Sequence, residues 1–362
     1  MERFGFVGLP NAGKSSLYNA LAGGGALAAP YAFATVDPNV GVAKVPDERL
    51  DLLAAMSSSK NVVPAAVQFV DIAGLVEGAA QGEGLGNRFL SHIREVDAIV
   101  FVLRAFTDPD VPGSTDPVEQ LSTLEVELVY ADLESLEKQV DKRRKAARAD
   151  KALADEVAAM EAAIGLLQAG TPLYRGAIPP EHRALLRPFF LLTAKPALAL
   201  VNLDEAQMED PEPVLAPVRE AFADAGDADE VVLGLSIQLE AEAALLDADE
   251  RVEMLEALGL GEGALPRFLH TAYEMLGLRT FFTTGEKETR AWTFRAGSTA
   301  PQAAGVIHTD FERGFIRAEV IQWDELLEIG SWSKARDVGK LRIEGKDYEV
   351  VDGDVMEIRF NV

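Results

Sequence analysis

Short apolar runs separated by glycine-rich turns dominate the first ~115 residues, and their length is that of strands. Phe4–Val7, Val40–Val45, Val67–Asp71 and Ala98–Leu103 are such runs, each followed by enough chain for a crossover helix. Two more, Ala197–Leu203 and Val231–Ile237, come much later and fit the same sheet. Alternation of this kind predicts an α/β fold with a mostly parallel sheet, helices on both faces, and ligands at the carboxyl ends of the strands. Between the two halves the period changes. From Val118 to Gln168 there is no proline and the one glycine is Gly165, while apolar residues recur at 121, 124, 128, 129, 133, 136 and 140, then at 153, 157, 160, 164 and 167. Spacing of three and four predicts two long helices folded back as an antiparallel coiled-coil hairpin, with its turn near Ala147–Ala152. Strand-like runs return at the end of the chain: Thr280–Thr284, Ala291–Phe294, Phe315–Ile321 and Tyr348–Val351, then an Asp352-Gly353-Asp354 turn and Val355–Phe360. This end reads as a small mixed β domain. It pairs no nucleophile with a base, so it reads as a binding module.

The chemistry lies at the ends of the predicted strands. Gly8-Leu9-Pro10-Asn11-Ala12-Gly13-Lys14-Ser15 is a GxxxxGKS phosphate loop between the strand Phe4–Val7 and a helix carrying Leu17, Ala20 and Leu21. Its glycines let consecutive backbone N–H groups turn inward around a phosphate, and the following helix adds its positive end. Asn11, Ala12, Gly13, Lys14, Ser15 and Ser16 are the expected phosphate contacts, with Lys14 spanning the outer phosphates and the Ser15 hydroxyl on Mg²⁺. Thr35, in Phe33-Ala34-Thr35-Val36-Asp37-Pro38, falls where a switch threonine reaches Mg²⁺ and the γ-phosphate. Asp71-Ile72-Ala73-Gly74 follows a strong strand. Asp71 can hold a Mg²⁺ water, and Gly74 can offer its N–H to the γ-phosphate. Lys14, Thr35 and Gly74 are therefore the candidate catalytic groups, and Ser15, Thr35 and Asp71 the candidate metal groups.

Leu75 stands where Ras-like GTPases carry a water-orienting glutamine. Leucine makes no hydrogen bond, so slow intrinsic hydrolysis is expected and the water-orienting group is unassigned. The glycine-dense run Val76–Gly86 reads as a segment that orders on the triphosphate. Guanine readers use NKxD; here Asn202-Leu203-Asp204-Glu205 puts leucine for lysine and glutamate for aspartate. Losing a bidentate base contact costs about 1–3 kcal/mol, which favours ATP over GTP. Asn202 is expected at the base, Leu203 over its face, Glu205 at its edge, and Ser236-Ile237 as a backbone contact. Asn11 also offers a side-chain oxygen to K⁺ beside the phosphates.

Composition narrows the class. At 362 residues the chain is expected to hold two to three domains, and with 48% hydrophobic and 26% charged residues it reads as soluble and globular. No apolar run approaches the ~20 residues of a membrane span. The first strand starts near the amino terminus, leaving no secretory signal and pointing to the cytoplasm. With no cysteine there is no disulfide, thiolate zinc site or cysteine nucleophile, and four scattered histidines give no metal spacing. A net charge of −25 opposes broad wrapping of nucleic acid. Charge is uneven, however. Asp204–Glu262 is strongly acidic, whereas Lys138, Lys142, Arg143, Arg144, Lys145, Arg148 and Lys151 cluster at the hairpin tip, where they either simply solvate the hairpin, as charge runs usually do, or offer a local RNA contact.

Taken together, GLPNAGKS, Phe33-Ala34-Thr35 with Asp37-Pro38-Asn39, DIAGLVEGA with GEGLGNRFL, NLDE, and the tail RAWTFRAGSTAPQAAGVIHTDFERGFIRAEV ending in EGKDYEVVDGDVMEIRFNV resemble the YchF-type Obg-like ATPases, a translation-factor class of P-loop proteins. The resemblance covers essentially the whole chain. It implies a nucleotide domain split over 1–117 and 196–277, a coiled-coil insertion at 118–195, and a β-grasp-like TGS domain at 278–362. It also implies ATP preferred over GTP, slow basal hydrolysis that a partner stimulates, and association with the ribosome (the large subunit or a 70S-type particle), the TGS domain sharing in an rRNA contact. Two departures stand out. Ala34 occupies a place where family members from several sources carry a cysteine, and the loop Thr107–Ser114 lacks the histidine the family is thought to use there; His92, earlier in the chain, does not replace it. Two other readings stay open: a GTPase of the Obg type that tolerates NLDE, and a nucleotide-gated binding protein whose turnover is incidental.

Overall fold

The computed structural model describes residues 2–23, 40–71, 90, 92–148, 150, 153–222, 231–258, 260 and 263–361. Thr35, Gly74, Leu75 and the run 76–86 lie outside the described residues. The chain divides into two compact units, Met1–Ala43 with Gln68–Leu265, and Lys44–Val67 with Pro266–Val362. Among the described residues the strands are, in chain order, β1 (Arg3–Val7), β2 (Val40–Lys44), β3 (Asn61–Val63), β4 (Ala66–Asp71), β5 (Ala98–Arg104), β6 (Ala197–Asn202), β7 (Val232–Leu235), β8 (Leu278–Thr283), β9 (Glu288–Arg295), β10 (Phe315–Gln322), β11 (Arg342–Glu344) and β12 (Asp354–Phe360).

The first unit is built on a sheet in the order β2-β4-β1-β5-β6-β7. β1 runs parallel to β4 and β5, β5 to β6, and β6 to β7. All six strands come from the apolar runs that predict them. β5 and β6 are buried along their whole length, which explains why they read as unbroken apolar stretches rather than as alternating ones. The order carries β1, β5 and β6 side by side, so whatever follows each strand meets at one edge.

The change of period after Val118 is a helical hairpin. Its first helix, Pro117–Ala147, begins where Asp116 accepts from the N–H groups of Val118 and Glu119 and proline takes the first turn. Leu121, Leu124 and Leu128 pack into the core beneath the sheet, while Leu136 and Val140, further out, pack on Ala159, Met160, Ala163 and Leu167 of the second helix, Leu153–Gln168. Glu137 meets Gln168 at 3.2 Å and Arg144 meets Glu161 at 2.8 Å, so the two helices run antiparallel. The buried Asp132 carboxylate accepts from Leu192 N at 2.9 Å and from Thr193 N and Oγ1 at 2.7 and 2.8 Å, tying the hairpin to the return of the chain. Burial pushes its pKa up, against the opposing pull of those donors. In the basic block, Lys138 pairs with Glu134, Arg143 with Glu156, and Arg144 with Asp141 and Glu161.

In the second unit the sheet runs β11-β10-β12-β8-β9-β3. β10 is antiparallel to β11 and β12, β8 is antiparallel to β9, and the β12–β8 and β3–β9 pairs are parallel. Phe281, Phe294, Phe315, Val320 and Met356 fill its core under the helix Ala300–Ile307. Tyr348–Val351, expected as a strand, is not one, and the strand beside β10 is β11 instead. The reason is Asp354: its fully buried carboxylate accepts from Tyr348 Oη at 2.7 Å, Val351 N at 2.9 Å and Gln322 Nε2 at 2.7 Å, drawing the chain into a turn. Only a single bridge, Thr299 to Glu349, is left of pairing there. Burial and the bond to Asp354 push the Tyr348 phenol up to about 12. The segment Lys44–Val67 adds the helix Glu48–Ser57 and the edge strand β3. Arg49 fastens it, bonding Asp47 at 2.8 Å and Asp352 at 2.6 Å.

Candidate functional site

The phosphate loop leaves β1 at the carboxyl edge of the first sheet, as its spacing demands. Gly8 is pressed against the neighbouring strand: a Cβ there would come within 2.5 Å of Val102 O. Gly13 has φ +104°, and a Cβ there would lie 2.6 Å from Asn202 Nδ2. Both positions exclude larger residues for reasons of space, and Gly13 for its backbone as well. The helix Lys14–Gly23 follows at once, so its first N–H groups point into the loop. Lys14 is buried, with its Nζ 2.9 Å from Gly8 O and 2.8 Å from Leu9 O. Ser15 and Ser16 are exposed at the loop's mouth.

This loop helps to line a cavity of about 1000 Å³. Asn11, Gly13, Lys14, Ser15 and Ser16 line it from the phosphate loop; Asn202 at the end of β6 with Leu203 and Glu205 beyond it, Ser236 and Ile237 after β7, and Phe106, Thr107, Asp108 and Val111 after β5 are also among its lining residues. Sequence reading weighed this last loop only for the histidine it lacks, not as a wall of the cavity. Its signal was there in Arg104, a charged residue ending a strand that is otherwise wholly apolar.

Four of the residues expected at the base are engaged within the protein itself. The Asn202 side chain, 5% exposed, donates from Nδ2 to Ala12 O at 3.2 Å and accepts on Oδ1 from Ile237 N at 3.0 Å. It therefore joins the phosphate loop to the end of β7. The Ile237 N–H, expected at the base, is already committed to Asn202. Ser236 caps the helix Ile237–Ala243 by accepting from Leu239 N at 3.4 Å. Leu203, expected over the base face, turns its side chain into the core, 2% exposed, where it occupies the space a Gly234 side chain would fill. Phe106, Val111, Leu239 and Leu245 are among the apolar residues that line the cavity. Glu205 is exposed in the first turn of the short helix Glu205–Glu209, which Asp204 and Gln207 cap reciprocally.

The metal groups are partly within the described residues. Ser15 stands at the helix start, and the register of β1 with β4, Phe6 opposite Asp71, brings Asp71 to the same edge. Hydroxyl and carboxylate oxygens are the donors a hard cation takes, so these residues fit Mg²⁺. Among the described residues there is no group of three or more His, Asp or Glu able to hold a metal. His92 is exposed and does not line the cavity. On the helix after β7, Glu240 is 2% exposed and accepts from Ala264 N; burial pushes its carboxyl up, against the pull of that N–H and of Arg251.

A phosphate loop at the carboxyl edge of a mostly parallel sheet, facing an asparagine-led loop on a later strand, defines a P-loop nucleotide-binding protein. Residues 3–150 match the family described as 50S ribosome-binding GTPase, and residues 278–361 match the YchF-GTPase C-terminal family, described as a protein of unknown function (DUF933). The ribosome-binding ATPase YchF of Bacillus subtilis is 44% identical over 99% of both chains, and that of Haemophilus influenzae 45% over the same share. Obg-like ATPase 1 of the rat is 40% identical over 99% of this chain and 92% of its own. The solved structure of the Schizosaccharomyces pombe YchF GTPase superposes with a TM-score of 0.87 at 36% identity, covering 99% of this chain and 97% of that one. The chain belongs to the YchF family.

Proposed function

We propose that this protein is a Mg²⁺-dependent, ATP-preferring ATPase that binds the ribosome as a nucleotide-controlled switch. The observation that carries the nucleotide part is the cavity itself, which the phosphate loop and Asn202-Leu203-Asp204-Glu205 line together. Lys14 would turn from the loop carbonyls it now contacts to the outer phosphates, and the helix N–H groups behind it would take the remaining phosphate charge. Mg²⁺, held by Ser15, Thr35 and, through water, Asp71, would neutralise charge on the phosphates. Thr35 and Gly74 would sense the γ-phosphate. No lysine stands over the base: Leu203 faces the core, and Phe106 offers its ring. With Glu205 one methylene longer than aspartate, nothing here favours guanine.

The ribosomal part follows the names of the relatives and supports a cytoplasmic protein; among the described residues no helix is long and apolar enough to cross a membrane. Contact with rRNA is assigned to the hairpin tip, Lys138–Lys151, and to the module at 278–362, which we read as a TGS domain after an insertion at 118–195 in a nucleotide domain of 1–117 and 196–277. Steady-state hydrolysis of ATP and GTP, with and without ribosomes, tests the whole reading, together with co-sedimentation in ATP, ADP and no nucleotide. A clear preference for GTP, or no ribosome association in any state, would overturn it. A role for K⁺ at Asn11 is tested by comparing potassium with sodium buffer; equal rates remove it.

A further inference from the structure

Arg104 is 2% exposed and reaches the nucleotide cavity only through other residues. Its guanidinium donates from Nε to Phe106 O at 3.1 Å, from Nη1 to Val111 O at 3.1 Å and Pro112 O at 3.2 Å, and from Nη2 to Asp108 O at 3.4 Å. The same group lies over the Phe106 ring, 4.5 Å from its centre. One side chain thus gathers the carbonyls of the whole loop that walls the cavity. Behind it, the buried Gln120 accepts from Arg104 N at 2.9 Å and donates to Arg104 O at 2.7 Å, locking the root of the loop to the helical hairpin.

The loop is fastened at both ends to the nucleotide machinery. Ala105 N and Phe106 N both donate to the backbone oxygen of Asn202, at 2.9 and 3.0 Å. At the other end, the Pro112 oxygen that takes Arg104 Nη1 also takes Asn11 Nδ2 at 3.3 Å. Asn11 belongs to the phosphate loop and holds a left-handed backbone, φ +65°, which asparagine adopts more readily than most other non-glycine residues.

We propose that Arg104 is a positioning residue for the nucleotide: by holding the loop from Ala105 to Gly113, it sets both the Phe106 wall and the phosphate-loop asparagine without touching the ligand. This rests on the cavity being the ATP site. Arginine is required because its planar fork offers five donors at fixed angles, whereas lysine offers one point charge that cannot reach four carbonyls together. A loop held less firmly must be ordered by the ligand, which weakens binding to ground state and transition state alike. The loss therefore falls on KM and Kd rather than on kcat.

The test uses the full chain and unlabelled ATP, with calorimetric Kd and steady-state KM and kcat for wild type, Arg104→Lys, Gln120→Leu, Asn11→Ala and the Arg104→Lys/Asn11→Ala double variant. Arg104→Lys is expected to raise Kd and KM about tenfold or more with the smaller change in kcat. Gln120→Leu is expected to move them in the same direction. Asn11→Ala should cost less in the Arg104→Lys background than alone, since both act through the Pro112 oxygen. Unchanged Kd in Arg104→Lys, strictly additive effects, or failure of both the Arg104 and Gln120 variants to fold would each overturn the proposal. If wild type does not bind ATP, the reading of the cavity fails instead, an outcome the wild-type titration alone reports.

Discussion

Asn202→Ala removes a side chain that serves the fold and the site together. Its amide closes two buried bonds, one from Ile237 N and one to Ala12 O, and truncation leaves that N–H and that carbonyl without their partner. An unmade buried bond costs about 1–3 kcal/mol. The two sum to about 2–6 kcal/mol, and because the cavity beside them admits water, the lower part, about 2–4 kcal/mol, is expected. The backbone oxygen of Asn202, which holds Ala105 N and Phe106 N, is untouched, so the loss isolates the side chain. Urea unfolding without nucleotide reads the stability, and calorimetric titration with ATP reads the loosened phosphate loop as a weaker Kd. Asn202→Asp is the companion variant: it keeps an acceptor for Ile237 N but sets a carboxylate oxygen against Ala12 O, and should be at least as damaging at neutral pH. An Asn202→Ala protein with the wild-type urea midpoint and an ATP affinity within about twofold would refute the reasoning.

Three further outcomes are expected. Lys14→Ala removes the one buried ammonium among the phosphate-loop residues and should weaken ATP by about a hundredfold or more, read by the same titration; near-normal affinity would mean the loop is only a packing turn. Glu205→Asp shortens an exposed carboxylate at the base end without disturbing the core, so it should move the GTP-to-ATP ratio of Kd values toward GTP, by about threefold to tenfold, whereas Leu203→Lys would bury an ammonium and mainly destabilise. Glu240 carries the pH prediction. Because burial raises its folded-state pKa, the stability it contributes by taking up a proton is fully present below the ordinary carboxylate range and is lost as pH rises through the raised value. Glu240→Gln keeps an acceptor for Ala264 N and cannot titrate, so it should flatten the pH dependence of the unfolding midpoint in that window and be at least as stable as wild type at neutral pH. A Gln variant clearly weaker there would show that Arg251, 4.0 Å away, outweighs burial.

The elements and the phosphate loop were legible in the residues because both obey local rules. Gly8 and Gly13 sit six and one residues from Lys14, and the backbone turn they allow is set within that span. The apolar runs of β1, β5 and β6 and the period of the hairpin helices needed only the burial of one strand or one helix face. What each site residue does was not legible in the same way. Asn202 reads as a base contact from its motif, yet its amide is taken by Ala12, 190 positions earlier, and by Ile237, 35 later. Leu203 stands where a ring-covering lysine would be, and the space left by Gly234 draws it into the core. Tyr348–Val351 has the composition of a strand, and the buried Asp354 carboxylate turns it aside.

By itself, then, the chain determined a phosphate site, the strands and helices that carry it, and a chemistry of oxygen donors without thiols, since propensity, periodicity and tight-turn geometry act over a few residues. The tertiary structure alone decided that Arg104 turns back to gather the loop that follows it at the cavity wall, that Asn202 braces rather than simply reads, and that Lys44–Val67 folds with the carboxyl-terminal unit. Those outcomes depend on which buried donor finds which acceptor once the strands are side by side. A hydrogen bond out of water must be made with whatever packing brings near, and sequence distance does not enter into that choice.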